Sequence, residues 1–245
     1  LSKHEITRVR HELRRRLLTV SAIERLSPQM LRITLTSPDL HDFVSASYDD
    51  HVKLMFPGTD DTPVMREYTP RRFDAASQTL VIDFALHEAG PATQWAETAK
   101  VGDTLQIGGP RGSSVVPDDF DWVVMIGDET ALPAIGRRLE ELRADVPVTS
   151  FVIGDAQNIT TRAKWTPHWI SRDGTFDDTA LLRAVLDKHV FPAGEGYVWI
   201  AAEAAVARSL RSYVVETRSQ PKAWTKAAGY WTRGHADTSV KSIED

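Results

Sequence analysis

Apolar and polar positions alternate over short stretches in the first half of the chain, and apolar positions run together in the second. Leu31, Ile33 and Leu35 take turns with Arg32 and Thr34, the period-two pattern of a strand with one wet face. Comparable β-branched or aromatic runs recur between about residues 17 and 116. They read LLTVSAIERLSP, MLRITLTSP, HVKLMFPG, MREYTPRRFD, TLVIDFALHE and GDTLQIGGPRGS, each bounded by Gly, Pro, Asp or Ser. These six runs predict a small six-stranded antiparallel barrel, because closure removes exposed strand edges. Between two of them, GPATQWAETAKVGD predicts a short helix: Trp95, Ala96 and Ala99 have helical spacing and Gly102 follows as a stop.

From about residue 121 the rhythm changes. DWVVMIGD, PVTSFVIGD and GYVWIAA are continuous apolar runs, as expected of strands buried on both faces, and HWIS is a weaker one. Between them, Leu132, Ile135, Leu139 and Leu142 fall on one side of a helix. FDDTALLRAVLDKH predicts a second helix with Asp177 or Asp178 near its start, EAAVARSLRSYVVETRS a third, and WTKAAGYW closes the series. Strand–helix alternation predicts an α/β unit with a parallel sheet covered on both faces. The expected organisation is a basic arm over 1–16, a barrel domain over 17–118 and an α/β domain over 119–245.

Composition narrows the chemistry. Of 245 residues, 42% are hydrophobic and 26% charged, enough for a sizeable core. The formal charge of −5 offers no global basic field for nucleic acid. The first 20 residues depart from it, with six cations against two acids; this arm is expected to be solvated. No cysteine is present, which removes disulfides, thiolate nucleophiles, Cys-ligated zinc and protein-bound iron–sulfur clusters. No apolar run is long enough to span a bilayer and no secretory h-region opens the chain, so a cytoplasmic protein without stable membrane insertion is expected.

The sequence has no GxSxG, Walker A, HExxH, GxGxxG or EF-hand motif, and its eight histidines are scattered. A barrel followed by a nucleotide-type α/β unit points instead to an organic cofactor. Arg66 and Tyr68 stand two apart on one strand and share a face, one suited to phosphate and the other to stacking, with Thr69 beside them. A flavin dinucleotide needs both kinds of group; an edge strand with a chance Arg–Tyr pair fits the spacing too. Gly90-Pro91-Ala92-Thr93 runs into a helix start, where free amide N–H groups suit pyrophosphate. Gly127-Asp128-Glu129 ends the first α/β strand, at the carboxyl edge where such sheets take their ligands. Asp128 and Glu129 equally suit a helix N-cap and first-turn acid.

The order of REYTPR, DFALH, GPATQWA, GGPRGS, GDETALPAI and GYWTRG resembles the siderophore-interacting proteins, flavin-dependent ferric-siderophore reductases of the ferredoxin-reductase superfamily. The resemblance covers most of residues 14–234. It implies that Arg66, Tyr68 and Thr69 hold FAD, with Tyr68 against the isoalloxazine and Arg66 toward the phosphate or ribityl region. It implies that Asp83, Phe84 and His87 hold the adenine side and linker, and that Ala92, Thr93 and Trp95 form the phosphate-binding helix start. Asp128, Glu129, Thr130, Ala131 and Pro133 match the nicotinamide-domain motif. The two carboxylates there discourage a pyrophosphate contact, so Thr130 and backbone groups are expected to do the binding. Tyr230, Trp231 and Gly234 match a C-terminal motif near the flavin. Lys53, Arg111 and Arg233 lie at or near basic positions that would face an anionic iron chelate.

The expected activity is NAD(P)H:ferric-siderophore oxidoreduction with FAD as the relay, NADPH or NADH as donor and no protein metal ligand. A ferric siderophore is the expected small-molecule partner, and the chain is expected to act as a monomer. Alternatives are a general NAD(P)H:flavin or ferredoxin-type reductase, a non-catalytic flavin- or siderophore-binding protein, and an interaction module using the basic arm. Arg162 and Lys164, after the second α/β strand, are either partners for a 2′-phosphate or solvated loop residues.

Overall fold

The computed structural model describes residues 4–58, 62–86, 90–174, 176–234, 240, 242 and 243. Contacts divide the chain into two compact units, Glu5–Val116 and Pro117–Asp245, the latter joined by Leu1–His4.

The first unit contains β1 (Thr7–Arg10), β2 (Arg15–Ser27), β3 (Met30–Thr36), β4 (Val52–Phe56), β5 (Val64–Tyr68), β6 (Arg72–Asp74), β7 (Thr79–Ala85), α1 (Pro91–Thr98), β8 (Thr104–Gly108) and β9 (Gly112–Val115). Seven strands form one antiparallel sheet in the order β5-β4-β8-β2-β3-β7-β6, and β1 pairs with β9 in a separate ribbon. Inward residues alternate along each strand, from Leu31, Ile33 and Leu35 to Val52, Leu54 and Phe56, and bury a single core. Tyr68 and Phe73, from the two edge strands, pack on that same core, so the sheet curls around it.

The strand count departs from the six expected, for a local reason. MREYTPRRFD turns at Thr69–Pro70, because proline has no N–H for the ladder, and so yields both β5 and β6. GDTLQIGGPRGS breaks likewise at Gly109–Pro110 into β8 and β9. The edges β5 and β6 are therefore neighbours in sequence, joined by Thr69, Pro70 and Arg71, all buried. The Arg71 N–H donates to the Val81 carbonyl at 2.9 Å, so this link is pinned to β7. The stretch expected as a solvated arm holds β1 and the first residues of β2; β1 is exposed along its length.

The second unit contains β10 (Trp122–Gly127), α2 (Leu132–Glu141), β11 (Pro147–Ile153), β12 (Lys164–Ile170), α3 (Asp178–Leu186), β13 (Gly196–Glu203), α4 (Ala204–Ser212) and β14 (Thr225–Trp231). All five strands are parallel, in the order β12-β11-β10-β13-β14. Trp122, Val124 and Ile126 face Leu182, Leu186, Val206 and Leu210 of α3 and α4. Right-handed crossover places α2 on the opposite face. Asp177 caps α3, accepting from the Ala180 N–H at 2.9 Å. The weak strand expected at HWIS is longer, Lys164–Ile170, and α4 ends in a π-helical turn over Tyr213–Thr217. Gly127 is required where β10 meets the next turn: a Cβ there would lie 2.4 Å from both the Ala131 Cβ and the Ala201 carbonyl oxygen.

Candidate functional site

In the first unit, register fixes which residues share a face. Tyr68 pairs with Val52 and Arg66 with Leu54, so both point to the core side, at the open edge of the sheet. Tyr68 lies 4.6 Å from Phe84, and Phe84 5.8 Å from Trp95 of α1. The three rings make a continuous path from the edge strand to the helix. Burial pushes the Tyr68 phenol up, so it stays neutral at working pH. At the other end of the path, Gly90 caps α1 without a side-chain bond and Pro91 has no N–H. The amides of Ala92 and Thr93 are thus the first donors, and they lack intrahelical acceptors. A Cβ on Gly90 would meet nothing within 4 Å, so the helix start is open. A stacking ring, a cation two residues away and an open helix start fit a flavin dinucleotide.

Two residues expected at that site serve it from inside. Asp83, 3% exposed, is bonded to Arg32 and Arg71, and Phe84 is fully buried. Neither side chain is open to a ligand; they support β7 and the Thr69–Arg71 link. His87 lies outside the described residues.

Lys53 pairs with Glu67, so it projects from the face opposite Arg66 and Tyr68. It also pairs with Gly108, which pairs with Arg15 on its other side. With no side chain between them, Lys53 and Arg15 stand in one row on this face, with Glu67 on the other side of Lys53. Arg15 is a residue that linear reading missed, since only cross-strand register reveals it. Arg111 is exposed just beyond Gly109, where a Cβ would lie 3.6 Å from the His51 carbonyl oxygen. Arg233 belongs to the second unit and is also exposed.

In the second unit, Asp128 and Glu129 follow β10 at the carboxyl edge of the sheet, and both are buried. Asp128 caps a short 3-10 turn over Glu129–Ala131, accepting from the Thr130 N–H at 2.9 Å. Burial, and next the neighbouring Glu129 carboxylate, hold the Asp128 acid above the usual carboxylate range. Glu129 takes both Nη groups of Arg172, at 3.2 and 3.0 Å, while Arg172 also binds Asp178. Arg172 was not singled out from sequence because its partner is 43 positions away. The Thr130 hydroxyl also bonds to Asp128, at 2.5 Å, so both Thr130 donors expected for a nucleotide are engaged within the turn. Ala131 and Pro133 are buried. Trp231, at the carboxyl end of β14, donates its indole N–H to Asp128 at 2.9 Å, and Tyr230 meets Trp199 edge-on at 6.0 Å.

Arg162 and Lys164 stand at the other edge. The Arg162 carbonyl accepts from Asp145 and the Lys164 N–H donates to Val146, both before the start of β11. That is the amino edge of the sheet, away from the carboxyl edge where nucleotides dock, and both residues are exposed there, Arg162 in the loop and Lys164 as the first residue of β12. Among the described residues no cluster of three or more metal-ligating side chains occurs, and no helix is long and apolar enough to cross a membrane.

Comparison with known proteins accords with this geometry. Residues 19–63 and 57–114 match the siderophore-interacting FAD-binding domain. An NADPH-dependent ferric-chelate reductase of Escherichia coli (strain K12) is 33% identical over 249 residues, spanning 91% of this chain and 95% of the reductase. The ferric vibriobactin reductase ViuB of Vibrio cholerae serotype O1 is 28% identical over 243 residues, spanning 89% of this chain and 90% of its own. A siderophore utilization protein from T. fusca, solved by crystallography, has a TM-score of 0.88 and 36% identity over 96% of this chain and 98% of its own. With residues 120–234 matching the siderophore-interacting protein model as well, the chain belongs to the siderophore-interacting protein family.

Proposed function

We propose that the protein is an FAD-dependent NAD(P)H:ferric-siderophore oxidoreductase that releases iron by reducing it. The observation that carries this reading is the path of rings from Tyr68 through Phe84 to Trp95, ending at the open start of α1. It offers a stacking surface and an anion site in one unit, inside the region matching an FAD-binding domain.

In this reading residues 17–118 bind FAD, residues 119–245 bind NAD(P)H, and residues 1–16 form the basic arm. Arg66, Tyr68 and Thr69 hold the isoalloxazine side, and the amides of Ala92 and Thr93 hold the pyrophosphate. Phe84 and Trp95 back the ring site; Asp83 fixes the link that carries Thr69. Glu129 and Ala131 shape the turn under the nucleotide, with Tyr230 and Trp231 beside it. FAD held by these residues would supply the exchange between the two-electron hydride of NAD(P)H and the single electrons that ferric iron accepts. Each hydride therefore reduces two ferric chelates, leaving NAD(P)+ and a proton. Ferrous iron is held more weakly by hard oxygen donors, so it leaves the siderophore. Lys53 and Arg111, with Arg15 beside them, and Arg233 attract an anionic chelate to a protein whose net charge is −5. The chain works as a cytoplasmic monomer.

Steady-state turnover with a ferric siderophore, free flavin and a ferredoxin as competing acceptors tests the reading. A ferric siderophore as preferred acceptor supports it; preference for either of the others overturns it. Charge reversal at Lys53, Arg111 and Arg233 is expected to slow chelate reduction and flatten its salt dependence. An unchanged rate and salt slope would mean that these cations do not attract the chelate.

A further inference from the structure

The carboxylate of Asp128 gathers more donors than a helix cap requires. Its Oδ1 accepts the N–H and hydroxyl of Thr130, at 2.9 and 2.5 Å. Its Oδ2 accepts the backbone N–H of Glu203 at 3.2 Å and the indole N–H of Trp231 at 2.9 Å. Asp128 is 1% exposed, so these four donors stand in for solvent.

The topology gives this bridge a location. Trp231 ends β14, Asp128 follows β10, and β13 lies between those strands. The indole therefore crosses the carboxyl end of β13. The chain leaves β10 toward β11 on one side, while β13, on the other side, is reached from β12. The crevice between β10 and β13 is thus the topological switch point, where open α/β sheets take their ligands. Trp231 is partly exposed there. A register shift at Ala202/Glu203 brings Trp231 opposite Glu203. Glu203 secures the rest of the segment: its Oε2 caps α4 through Ala205 and Val206, and its Oε1 accepts the Arg233 N–H at 3.3 Å.

We propose that Asp128 is a positioning residue for Trp231. It does not touch the nucleotide; it holds the indole across the switch-point crevice as the wall on which the nicotinamide nucleotide rests. The proposal deepens the NAD(P)H reading above and rests on it. It also separates Asp128 from an ordinary N-cap. The cap uses Oδ1 and Thr130, whereas the wall uses Oδ2 and Trp231. Asp128→Asn retains an acceptor for Thr130 and sets an NH2 against the indole N–H and the Glu203 N–H.

The test uses FAD-loaded, 15N-labelled protein, in which the Trp231 indole resonance is identified by its loss in Trp231→Phe. Asp128→Asn is expected to move that resonance and to raise the KM for NAD(P)H about tenfold, the scale of one charge-assisted hydrogen bond, with kcat changing less. Trp231→Phe, which keeps a ring but loses the N–H, is expected to raise KM by a similar factor. The double variant is expected to be no worse than either single one. Additive effects, an unmoved resonance, or a KM lowered by Trp231→Phe would overturn the proposal, the last by showing that the ring obstructs the nucleotide. If Asp128→Asn does not fold, Trp231→Phe decides through its KM alone. Titration of wild-type protein with NADP+ and NAD+, without any iron chelate, separates the two levels. A shifted Trp231 resonance with no chelate turnover defeats only the siderophore reading. Turnover with an unshifted resonance defeats only the Asp128–Trp231 wall.

Discussion

Arg32 and Asp83 pair across β3 and β7 through two parallel hydrogen bonds, Nε to Oδ1 at 2.7 Å and Nη2 to Oδ2 at 2.8 Å. Arg71 approaches the same carboxylate, Nε to Oδ2 at 3.6 Å. One buried acid thus ties two strands to the link that joins the sheet's edges.

Asp83→Ala removes the buried carboxylate that Arg32 and Arg71 share. Truncating one member of a buried ion pair costs about 3–5 kcal/mol. Urea unfolding of the variant should show a midpoint lowered accordingly; a midpoint within error of wild type would mean that the cluster contributes no net stability.

The ring of Tyr68 sits on Phe84 at the sheet's open edge. Tyr68→Ala should weaken FAD binding about tenfold, the scale of one lost aromatic contact, while Tyr68→Phe stays near wild type. Flavin fluorescence titration of apoprotein measures both. Equal binding by all three proteins would place the isoalloxazine elsewhere.

How much of this was legible beforehand depends on sequence distance. Arg66 and Tyr68 are two residues apart, so the period of a strand already put them on one face. Asp177 capping α3 and the buried run of β10 were equally local. Asp83 and Arg32 are 51 positions apart, Glu129 and Arg172 43, and Asp128 and Trp231 103. Those pairings depend on strand order and register, which no local pattern encodes. Asp83 therefore reads as a ligand contact, whereas Asp128 and Glu129 are the cap and first-turn acid that their positions suggest; what stays invisible locally is their further bonding to Trp231 and Arg172. Arg162 and Lys164 left two readings open, a 2′-phosphate partner or solvated loop residues, for the same reason. They follow the second α/β strand in sequence, but the connection carries them back to the amino edge, where Lys164 opens β12.

That placement is itself testable. Reversing the charge of Arg162 and Lys164 together should leave the KM for NADPH and for NADH unchanged. A rise confined to NADPH would return these residues to a 2′-phosphate site.

His4 makes stability depend on pH. Its Nδ1 lies 2.6 Å from Asp119 and its Nε2 3.1 Å from Glu195, so both nitrogens donate only as the imidazolium. Burial favours the neutral ring, but the hydrogen bonds to Asp119 and then Glu195 outweigh it, and the folded pKa stands above the 6.5 of a free histidine. The stabilisation is fully present below pH 6.5 and is lost as pH rises through the folded value. Urea midpoints of wild type and His4→Ala should differ most in acid and converge in base. A gap that widens with pH would reverse the assignment.

The close approach at Gly127 gives a steric prediction. Gly127→Ala forces its Cβ against Ala131 and the Ala201 carbonyl, and overpacking of this kind costs about 1–3 kcal/mol. Thermal unfolding should record the loss; an unchanged Tm would mean that the turn after β10 relaxes freely.

The most direct test of the whole account is an anaerobic single turnover of the FAD-loaded protein. Addition of NADPH or NADH should bleach the flavin, and a ferric siderophore should then restore its colour while a ferrous-specific chelator traps two iron atoms for each nicotinamide oxidised. Flavin that neither nucleotide bleaches, or bleached flavin that no ferric chelate reoxidises, would contradict it.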